Sequence, residues 1–445
     1  MANFHRGLSV IPEIKQQFRA NGVVIYNALW LLTDKVAKAG FMLAISALLG
    51  RYFGPEPYGQ IAYALAFVTI FQGVATLGLD AVTVRDLSTD RANAHQTVGT
   101  IFGLRLMFGA ILWPMAIALA YLIGPDDRTG LILISLIGLV LIVQASDTID
   151  LWFQSQNLNK ITTLIKLCVY LFGIASRLYL IAMDTPVWAF AAMVAIDAVL
   201  AGSFMAVFYR KYPTEMPWQF SANRAARALK EGWPFLLGAV SVLLYARIDQ
   251  IFIKNFSGEY ALGIYAIAAT ISGFFAIIPV SVSSAAAPYF ANLKIASEQN
   301  YIKHLKILNI VAFILSVTIC ILVFYTSEFV IVNIYGDAFF ESATILQIHI
   351  FSCIPLFLGV AQNIWIVNER LGKTILYKTL SGLAVSILGN FYFIPLYGAV
   401  GAAYVAIATQ FTTGVLANFI FDRRYVKIQF GSIKMIAGFF NFVGR

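Results

Sequence analysis

The chain has 445 residues, of which 60% are hydrophobic and only 12% are charged, and its mean hydropathy is +0.79. This composition excludes a soluble globular domain. The formal net charge of +9 does not indicate a nucleic-acid partner, because the basic residues are spread over short loops instead of gathering on one face; it predicts loops that face anionic lipid.

Twelve apolar stretches follow one another along the chain, and each is close to or above the ~20 residues that a helix needs to cross a bilayer. They predict an all-α polytopic membrane protein with twelve transmembrane helices. The stretches run through residues 22–50, 59–84, 97–122, 130–152, 161–182, 187–209, 232–253, 260–287, 307–325, 342–366, 374–394 and 398–421.

The predicted spans divide into two sets of six. The division gives an N-terminal segment (1–21), an N-terminal six-helix lobe (22–209), a basic linker (210–231), a C-terminal six-helix lobe (232–421) and a C-terminal tail (422–445). In the linker, Arg224, Arg227 and Lys230 recur at helical spacing between apolar residues, which predicts a short helix on the membrane surface.

Basic residues are distributed unequally when the connections are assigned alternately to two sides. The connections on the side of the N-terminus hold 21 Lys and Arg residues, the opposite side holds only Arg51, Arg128 and Lys254, and the other seven lie inside spans. The positive-inside rule therefore predicts that both termini are cytoplasmic. The opposite-side loops are too short to contain an extramembrane catalytic domain.

Two motifs recur at equivalent positions of the two sets of spans. The turns that begin at Phe53 and Phe256 share a spacing of Phe and Glu, with the following Gly displaced by one residue. The pattern W-x5-L-x-K begins at Trp152, at the end of the fourth span, and again at Trp365, at the end of the tenth. Because each half has an even number of spans, the halves are predicted to be parallel repeats around a central cavity, which is a common transporter plan.

Ionisable side chains inside a membrane usually face the interior of the bundle or a water-filled cavity. The first span carries Asp34, Lys35 and Lys38. Asp34 and Lys38 lie four residues apart, so we expect them to neutralise each other and to leave Lys35 available. The alternative is a polar patch that only joins two helices.

The fourth and fifth spans carry a second group of polar residues. Lys166, Tyr170 and Arg177 fall on one stripe of the fifth helix, and Asp147 and Asp150 share a face of the fourth. This pattern favours a cavity wall. The alternative is that the two cations extend along the helix to reach water at the membrane surfaces.

Three further charges lie deep in the sixth and seventh spans. Asp197 has no evident partner in the sequence and is a candidate proton carrier, unless a basic residue of another span pairs with it. Arg247 and Asp249 are ~200° apart around their helix, so we expect only one of them, Arg247, to face the cavity. Arg105 and Lys378 lie near the membrane surface, where we expect them to extend toward water.

Five segments resemble bacterial polysaccharide flippases, the O-antigen and exopolysaccharide translocases. This family belongs to the multidrug, oligosaccharidyl-lipid and polysaccharide exporter superfamily, and the resemblance extends over about residues 22–421. The segments are LLGRYFGPEPYGQIAYALAF (48–67), LGLDAVTVRDLS (77–88), DLWFQSQNLNK (150–160), EGWPFLLGAVSVLLYARIDQIFI (231–253) and GEYALGIYAIA (258–268).

The resemblance implies a two-lobed, MATE-like transporter of the bacterial inner membrane. It would move an undecaprenyl-diphosphate-linked oligosaccharide, the repeat unit of an O-antigen of lipopolysaccharide or of an exopolysaccharide, from the cytoplasmic to the periplasmic leaflet by alternating access. It implies coupling to H+ or Na+, and partners such as a polysaccharide polymerase and a chain-length regulator. We expect no enzymatic activity, no cofactor and no metal site, since the four His residues form no zinc-binding pattern.

Lys and Arg are the natural partners of a diphosphate. We therefore expect five cavity cations to bind the substrate, namely Lys35, Lys38, Lys166, Arg177 and Arg247. Five carboxylates are candidates for ion coupling or for charge pairing, namely Asp34, Asp147, Asp150, Asp197 and Asp249. Two other functions stay open, a cation-coupled multidrug exporter of the same fold and a membrane glycosyltransferase or polysaccharide polymerase.

Overall fold

The computed structural model describes the backbone of residues 4–432 and the side chains from Tyr26 onward, apart from Ala28. Residues 1–3 and the part of the predicted tail from residue 433 on lie outside this range. The described chain consists of helices joined by turns and short loops and has no strand. The all-α prediction is therefore confirmed.

Residues 4–209 form nine α-helices. Their bounds are α1 Phe4–Phe53, α2 Pro55–Ala75, α3 Asp80–Thr89, α4 Ala94–Ile123, α5 Arg128–Gly138, α6 Val140–Val143, α7 Asp147–Ser155, α8 Asn159–Ala182 and α9 Val187–Tyr209. A 3-10 turn, Gln144–Ser146, joins α6 to α7, so that the predicted fourth span is built from three short helices in sequence.

Seven further α-helices follow within the described residues up to Phe421. They are α10 Ala222–Phe274, α11 Ile277–Ala296, α12 Glu298–Tyr335, α13 Phe340–His349, α14 Cys353–Asn368, α15 Gly372–Phe411 and α16 Ala417–Phe421, with a π-helical turn, Thr412–Leu416, between the last two.

Ten helical stretches of the described chain are long and apolar enough to cross a membrane. Within two single helices, one residue has non-helical backbone angles: Gly258 in α10 (φ 86°) and Gly398 in α15 (φ 58°). Both glycines lie where the sequence predicts a turn between two spans, and a positive φ is available to glycine at no steric cost. The membrane-spanning fold is confirmed, whereas the count of twelve crossings stays a prediction.

The W-x5-L-x-K motif has the same backbone structure in both places. Asn157 and Arg370, which lie 213 positions apart, both adopt a left-handed conformation, with φ of 59° and 58°. At each place the amide of the motif Leu donates to a carbonyl five residues earlier, from Leu158 to Phe153 and from Leu371 to Ile366, both at 2.9 Å. The motif is thus a helix end of the Schellman type.

The two motif tryptophans also have equivalent partners. The indole of Trp152 donates to the carbonyl of Tyr212 at 2.8 Å, and that of Trp365 donates to the carboxylate of Asp422 at 2.9 Å. Tyr212 and Asp422 each follow the last predicted span of their half. The duplication inferred from the sequence is therefore present in the tertiary contacts.

Helices α2 and α10 cross at two glycines, Gly59 and Gly263. A Cβ on Gly59 would collide with the backbone of Glu259, and a Cβ on Gly263 would collide with the backbone of Pro55. The pairs Gly59/Gly263 and Pro55/Glu259 are both 204 positions apart, so the contact is reciprocal. Phe53 and Phe256 are one position closer in sequence than the two glycines. The alignment of the two halves by these aromatic residues is therefore corrected, because the glycines occupy the equivalent positions.

The linker helix is present, and it packs against the protein. Ser221 caps the start of α10 by accepting from the amide of Arg224 at 3.4 Å. The Arg224 guanidinium donates to Asp90 at 3.0 Å, to Gln96 and to Thr97, and the hydrogen bond from Arg224 lowers the pKa of Asp90. Residues 222–231 therefore lie on α3 and α4.

The two ends of the helix bundle carry different connections. We use the name turn end for the end that carries Gly54, Gly124, Gly258 and Gly336. The opposite end carries the connections that are rich in Lys and Arg.

Candidate functional site: two charged cavities

The first cavity lies among helices of the N-terminal half and has a volume of about 450 Å³. Four of the sequence-predicted residues are on its wall, and polar side chains of α2 and the 3-10 turn add to it. The predicted residues are Lys38, Asp147, Lys166 and Asp197; the others include Thr69, Gln72, Thr76, Gln144 and Ser146.

Lys166 is bound by two carboxylates. Its ammonium lies 3.0 Å from Asp34 of α1 and 2.9 Å from Asp150 of α7, and the Tyr170 hydroxyl donates to Asp34 at 3.5 Å. The expected pairing of Asp34 with Lys38 is therefore wrong. Asp34 pairs with a cation from another helix, and Lys38 is exposed without a carboxylate within ion-pairing distance among the described residues.

Arg177 and Asp197 form a second pair beside this cavity. Their closest atoms lie 2.9 Å apart, and Arg177 is only 3% exposed. The same guanidinium donates to the carbonyl of Gly173 at 2.9 Å and lies 5.8 Å from the ring centre of Phe41. Asp197 thus has the partner that the sequence did not reveal, and Arg177 lies behind the cavity wall.

Asp147 and Lys35 differ from these pairs. Neither has an ion-pair partner within the part of the chain that the structure describes. Asp147 is on the cavity wall, where Lys166 and Arg105 act on it only at longer range. Lys35 is an exposed side chain of α1 outside the cavity lining.

The second cavity lies in the C-terminal half and has a volume of about 280 Å³. Arg247 and Asp249 are both on its wall, so the expectation that only one of them faces a cavity is wrong. The cavity extends around α10 and is not confined to one face of it. Asp249 accepts a short hydrogen bond from the Tyr265 hydroxyl and another from the Gln250 amide at 2.7 Å.

Arg247 has no carboxylate within ion-pairing distance among the described residues. Although Asp249 is only two positions away, its oxygens are bound by Tyr265 and the Gln250 amide. The guanidinium of Arg247 is therefore available to a ligand in the cavity.

Sequence reasoning missed several polar residues of the second cavity, among them His349 and Thr409. Thr409 is 2% exposed. Neither its hydroxyl nor Nδ1 of His349 has a hydrogen-bond partner among the described residues. A polar residue within an apolar span was the available signal. Among the described residues no three His, Cys, Asp or Glu side chains form a metal-binding group.

Arg105 and Lys378 do not extend toward water as expected. Arg105 is 2% exposed and forms an ion pair with Asp80, and Lys378 is 6% exposed and donates to Gln362. Both cations are packed inside their half, where a polar partner from another helix replaces water.

Leu243 of α10 is on the wall of both cavities. Its side chain packs against Gly73 of α2, where a Cβ would collide with it. An apolar side chain thus lies between the cavity of one half and the cavity of the other.

Comparison with known proteins relates this arrangement to a family and to a fold. A family described as "Polysaccharide biosynthesis protein" matches residues 24–294. No curated protein sequence gives a significant match.

Among solved structures, the lipid II flippase MurJ in an inward closed conformation is similar over 94% of this chain and 93% of its own, with a TM-score of 0.68 and 14% identity. The MATE multidrug transporter DinF-BH in complex with R6G is similar over 92% and 96%, with a TM-score of 0.64 and 14% identity. The eukaryotic MATE transporter AtDTX14 is similar over 93% and 99%, with a TM-score of 0.61 and 13% identity. The chain belongs to the polysaccharide biosynthesis protein family and has the fold shared by MurJ and the MATE transporters.

Proposed function

We propose that the protein is a flippase that moves an undecaprenyl-diphosphate-linked oligosaccharide from the cytoplasmic to the periplasmic leaflet of a bacterial inner membrane. The glycan would be the repeat unit of an O-antigen or an exopolysaccharide. The observation that carries the proposal is a pair of cations, Lys38 and Arg247, that lie on the walls of two cavities at membrane depth and have no carboxylate partner among the described residues.

A charge at this depth costs ~3 kcal/mol on insertion scales unless a partner or water compensates it. Lys166 and Arg177 have such partners within the fold. Lys38 and Arg247 have no carboxylate within ion-pairing distance in the part of the chain that the structure describes, so their charges are available to an anionic ligand. A diphosphate carries at least two negative charges, and a guanidinium can bind two of its oxygens at once.

In this proposal the substrate diphosphate contacts Arg247 and Lys38, and Lys35 adds to the positive field from α1. Lys166 contributes only when Asp34 or Asp150 releases it. Arg177 fixes Asp197 in the wall. The glycan lies in the polar part of the cavities, since each unpaired hydroxyl in hydrocarbon would cost ~2–7 kcal/mol.

Coupling to H+ or Na+ is assigned to Asp147 and Asp249. Each is a carboxylate on a cavity wall without an ion-pair partner among the described residues. Binding of a cation at either residue would change the charge that the substrate meets. The two lobes, residues 22–209 and 232–421, would move against each other in alternating access.

The test is surface glycan in a strain that lacks the wild-type gene. A variant with Ala at Lys35, Lys38 and Arg247 should reach the membrane at a normal level, or close to it, and restore no glycan. Full glycan export by that variant would contradict the cationic-cavity proposal. Flipping of a fluorescent polyprenyl-diphosphate oligosaccharide in proteoliposomes tests the substrate class directly.

A second candidate is a cation-coupled multidrug exporter. Tyr170 and Phe41 stack at 4.9 Å beside Lys38 and Asp147, and an aromatic wall next to a carboxylate suits an organic cation. The discriminating measurement is efflux of a cationic dye. If the protein is a multidrug exporter, replacement of Asp147 should abolish dye efflux and replacement of Arg247 should not.

A further inference from the structure

Only three basic residues are predicted at the side opposite the termini, Arg51, Arg128 and Lys254, and the structure places all three near the turn end. Two of them bind across the boundary between the halves. Lys254 of the C-terminal half forms an ion pair with Asp127 of the N-terminal half, and Arg51 of the N-terminal half donates to the carbonyl of Asn333 in the C-terminal half at 2.9 Å.

Lys254 is bound on several sides. Besides Asp127, its ammonium lies 3.7 Å from Glu259 and 3.9 Å from the ring centre of Tyr63. The side chains of Lys254 and Asp127 are 13% and 27% exposed. Asp127 also caps α5 by accepting from the Gly130 amide at 2.7 Å. The helix cap therefore fixes the position of the Asp127 carboxylate, where it binds Lys254 of the other half.

The two cross-boundary contacts are related by the internal repeat. Arg51 lies at the end of the first span and Lys254 at the end of the seventh, which are equivalent helices. Asn333 lies in the last turn of α12, and Asp127 lies in the turn before α5, so both are beside the connection between the third and fourth spans of a half. Each half thus extends a cation from its first span to the connection between the third and fourth spans of the other half.

Other contacts between the halves are near the same end. The Gln60 amide donates to Glu259 at 2.5 Å, and the hydroxyls of Ser46 and Tyr335 lie 3.3 Å apart. Among the described residues, hydrogen bonds that join residues 26–209 to residues 243–432 are confined to this region of the bundle. Opening of the turn end requires all of these contacts to separate.

We propose that Arg51 and Lys254 form a pseudo-symmetric latch that closes the turn end, with Lys254 and Asp127 as its stronger member because both partners are charged and partly buried. This proposal rests on the proposed transport by alternating access. Loss of the Lys254 contact shifts the population toward a state in which the cavities open at the turn end.

The experiment measures access to the first cavity from that end. In a background without Cys168, Cys320 and Cys353, a single cysteine at Thr69 on the cavity wall is labelled with a membrane-impermeant maleimide added outside intact cells. Lys254→Gln and Asp127→Asn should each raise the labelling rate roughly five- to tenfold, as a shift of about 1 kcal/mol or more in the two-state equilibrium requires. Asn retains the ability to cap α5, so Asp127→Asn tests the charge separately from the helix end.

Two variants serve as controls. Arg128→Gln removes the third cation of this end, which binds no carboxylate among the described residues, and should leave the labelling rate unchanged. Lys254→Arg should keep the rate low because the charge is retained. Labelling of both Lys254→Gln and Asp127→Asn at the wild-type rate would overturn the latch. Because labelling needs no substrate, this outcome is separate from the glycan assay, whose failure would contradict the flippase alone.

Discussion

Gly59 of α2 and Gly263 of α10 each lie directly against the backbone of the opposite helix, at Glu259 and at Pro55. The contact is reciprocal, so the pseudo-two-fold axis passes between these two helices. Without side chains at the two glycines the backbones can approach closely, and close approach is a main source of helix association in membranes.

We predict that Gly59→Ala and Gly263→Ala each destabilise the protein by about 1–3 kcal/mol, because the added methyl group meets backbone atoms that cannot move aside. Thermal unfolding in detergent measures the effect. The matched control is Gly273→Ala in the same helix, where a Cβ has no atom within 4 Å. Equal melting temperatures for Gly263→Ala and Gly273→Ala would contradict the reciprocal contact.

Removal of Lys166 should leave two carboxylates facing each other. We predict that Lys166→Met destabilises the protein by about 2–3 kcal/mol, somewhat less than the ~3–5 kcal/mol typical of a fully buried pair, since these side chains are partly exposed. Adding Asp150→Asn should restore part of the stability. Unfolding temperatures of the single and double variants test this prediction. The control is Lys303→Met, which removes an exposed cation of α12. If the double variant is no more stable than Lys166→Met, the prediction is contradicted.

Arg247 should be more important for transport than for folding. We predict that Arg247→Ala lowers glycan export at least tenfold with a normal protein level, whereas Arg247→Lys retains part of the activity, because an ammonium keeps the charge and loses the paired hydrogen bonds. Surface glycan, normalised to protein in the membrane, measures both. Lys303→Ala should have no effect. Full export by Arg247→Ala would remove this residue from the substrate site.

Asp249 should act in ion coupling. We predict that Asp249→Asn abolishes transport driven by an ion gradient but leaves exchange of substrate between the two leaflets at equilibrium. Tyr265→Phe should give a smaller loss, since it removes one hydrogen bond of the carboxylate and keeps its charge. Proteoliposomes with and without a gradient separate the two activities. A variant that loses both equally would indicate a substrate-binding or structural role.

The charge bias of the connections predicts the orientation of the protein. Single cysteines at Pro125 and Ser257 should react with an impermeant reagent from outside the cell, and one at Lys211 should react only after the membrane is opened. If Lys211→Cys is labelled from outside the cell, the predicted cytoplasmic and periplasmic sides must be exchanged.

The helices and the internal repeat could be predicted from the amino-acid sequence. Long apolar stretches cannot satisfy their backbone groups in lipid except as helices, so the all-α fold could be predicted without tertiary information. The W-x5-L-x-K motif was recognisable because a helix end of this type is a local structure, formed by residues within a few positions of one another.

Which charged residues pair with one another depends on the tertiary packing of the helices. Local spacing favoured Asp34 with Lys38, yet Asp34 binds Lys166, more than 130 positions away, and Arg177 binds Asp197 from the next helix. Such pairings depend on which helices pack together and on their rotation. Regular spacing of polar residues along a helix shows which of them share a face, but it does not show which other helix that face contacts. This packing explains why Arg247 has no ion-pair partner among the described residues and why Lys254 contacts Asp127, because an ionic contact forms only where two helices bring the side chains within about 4 Å.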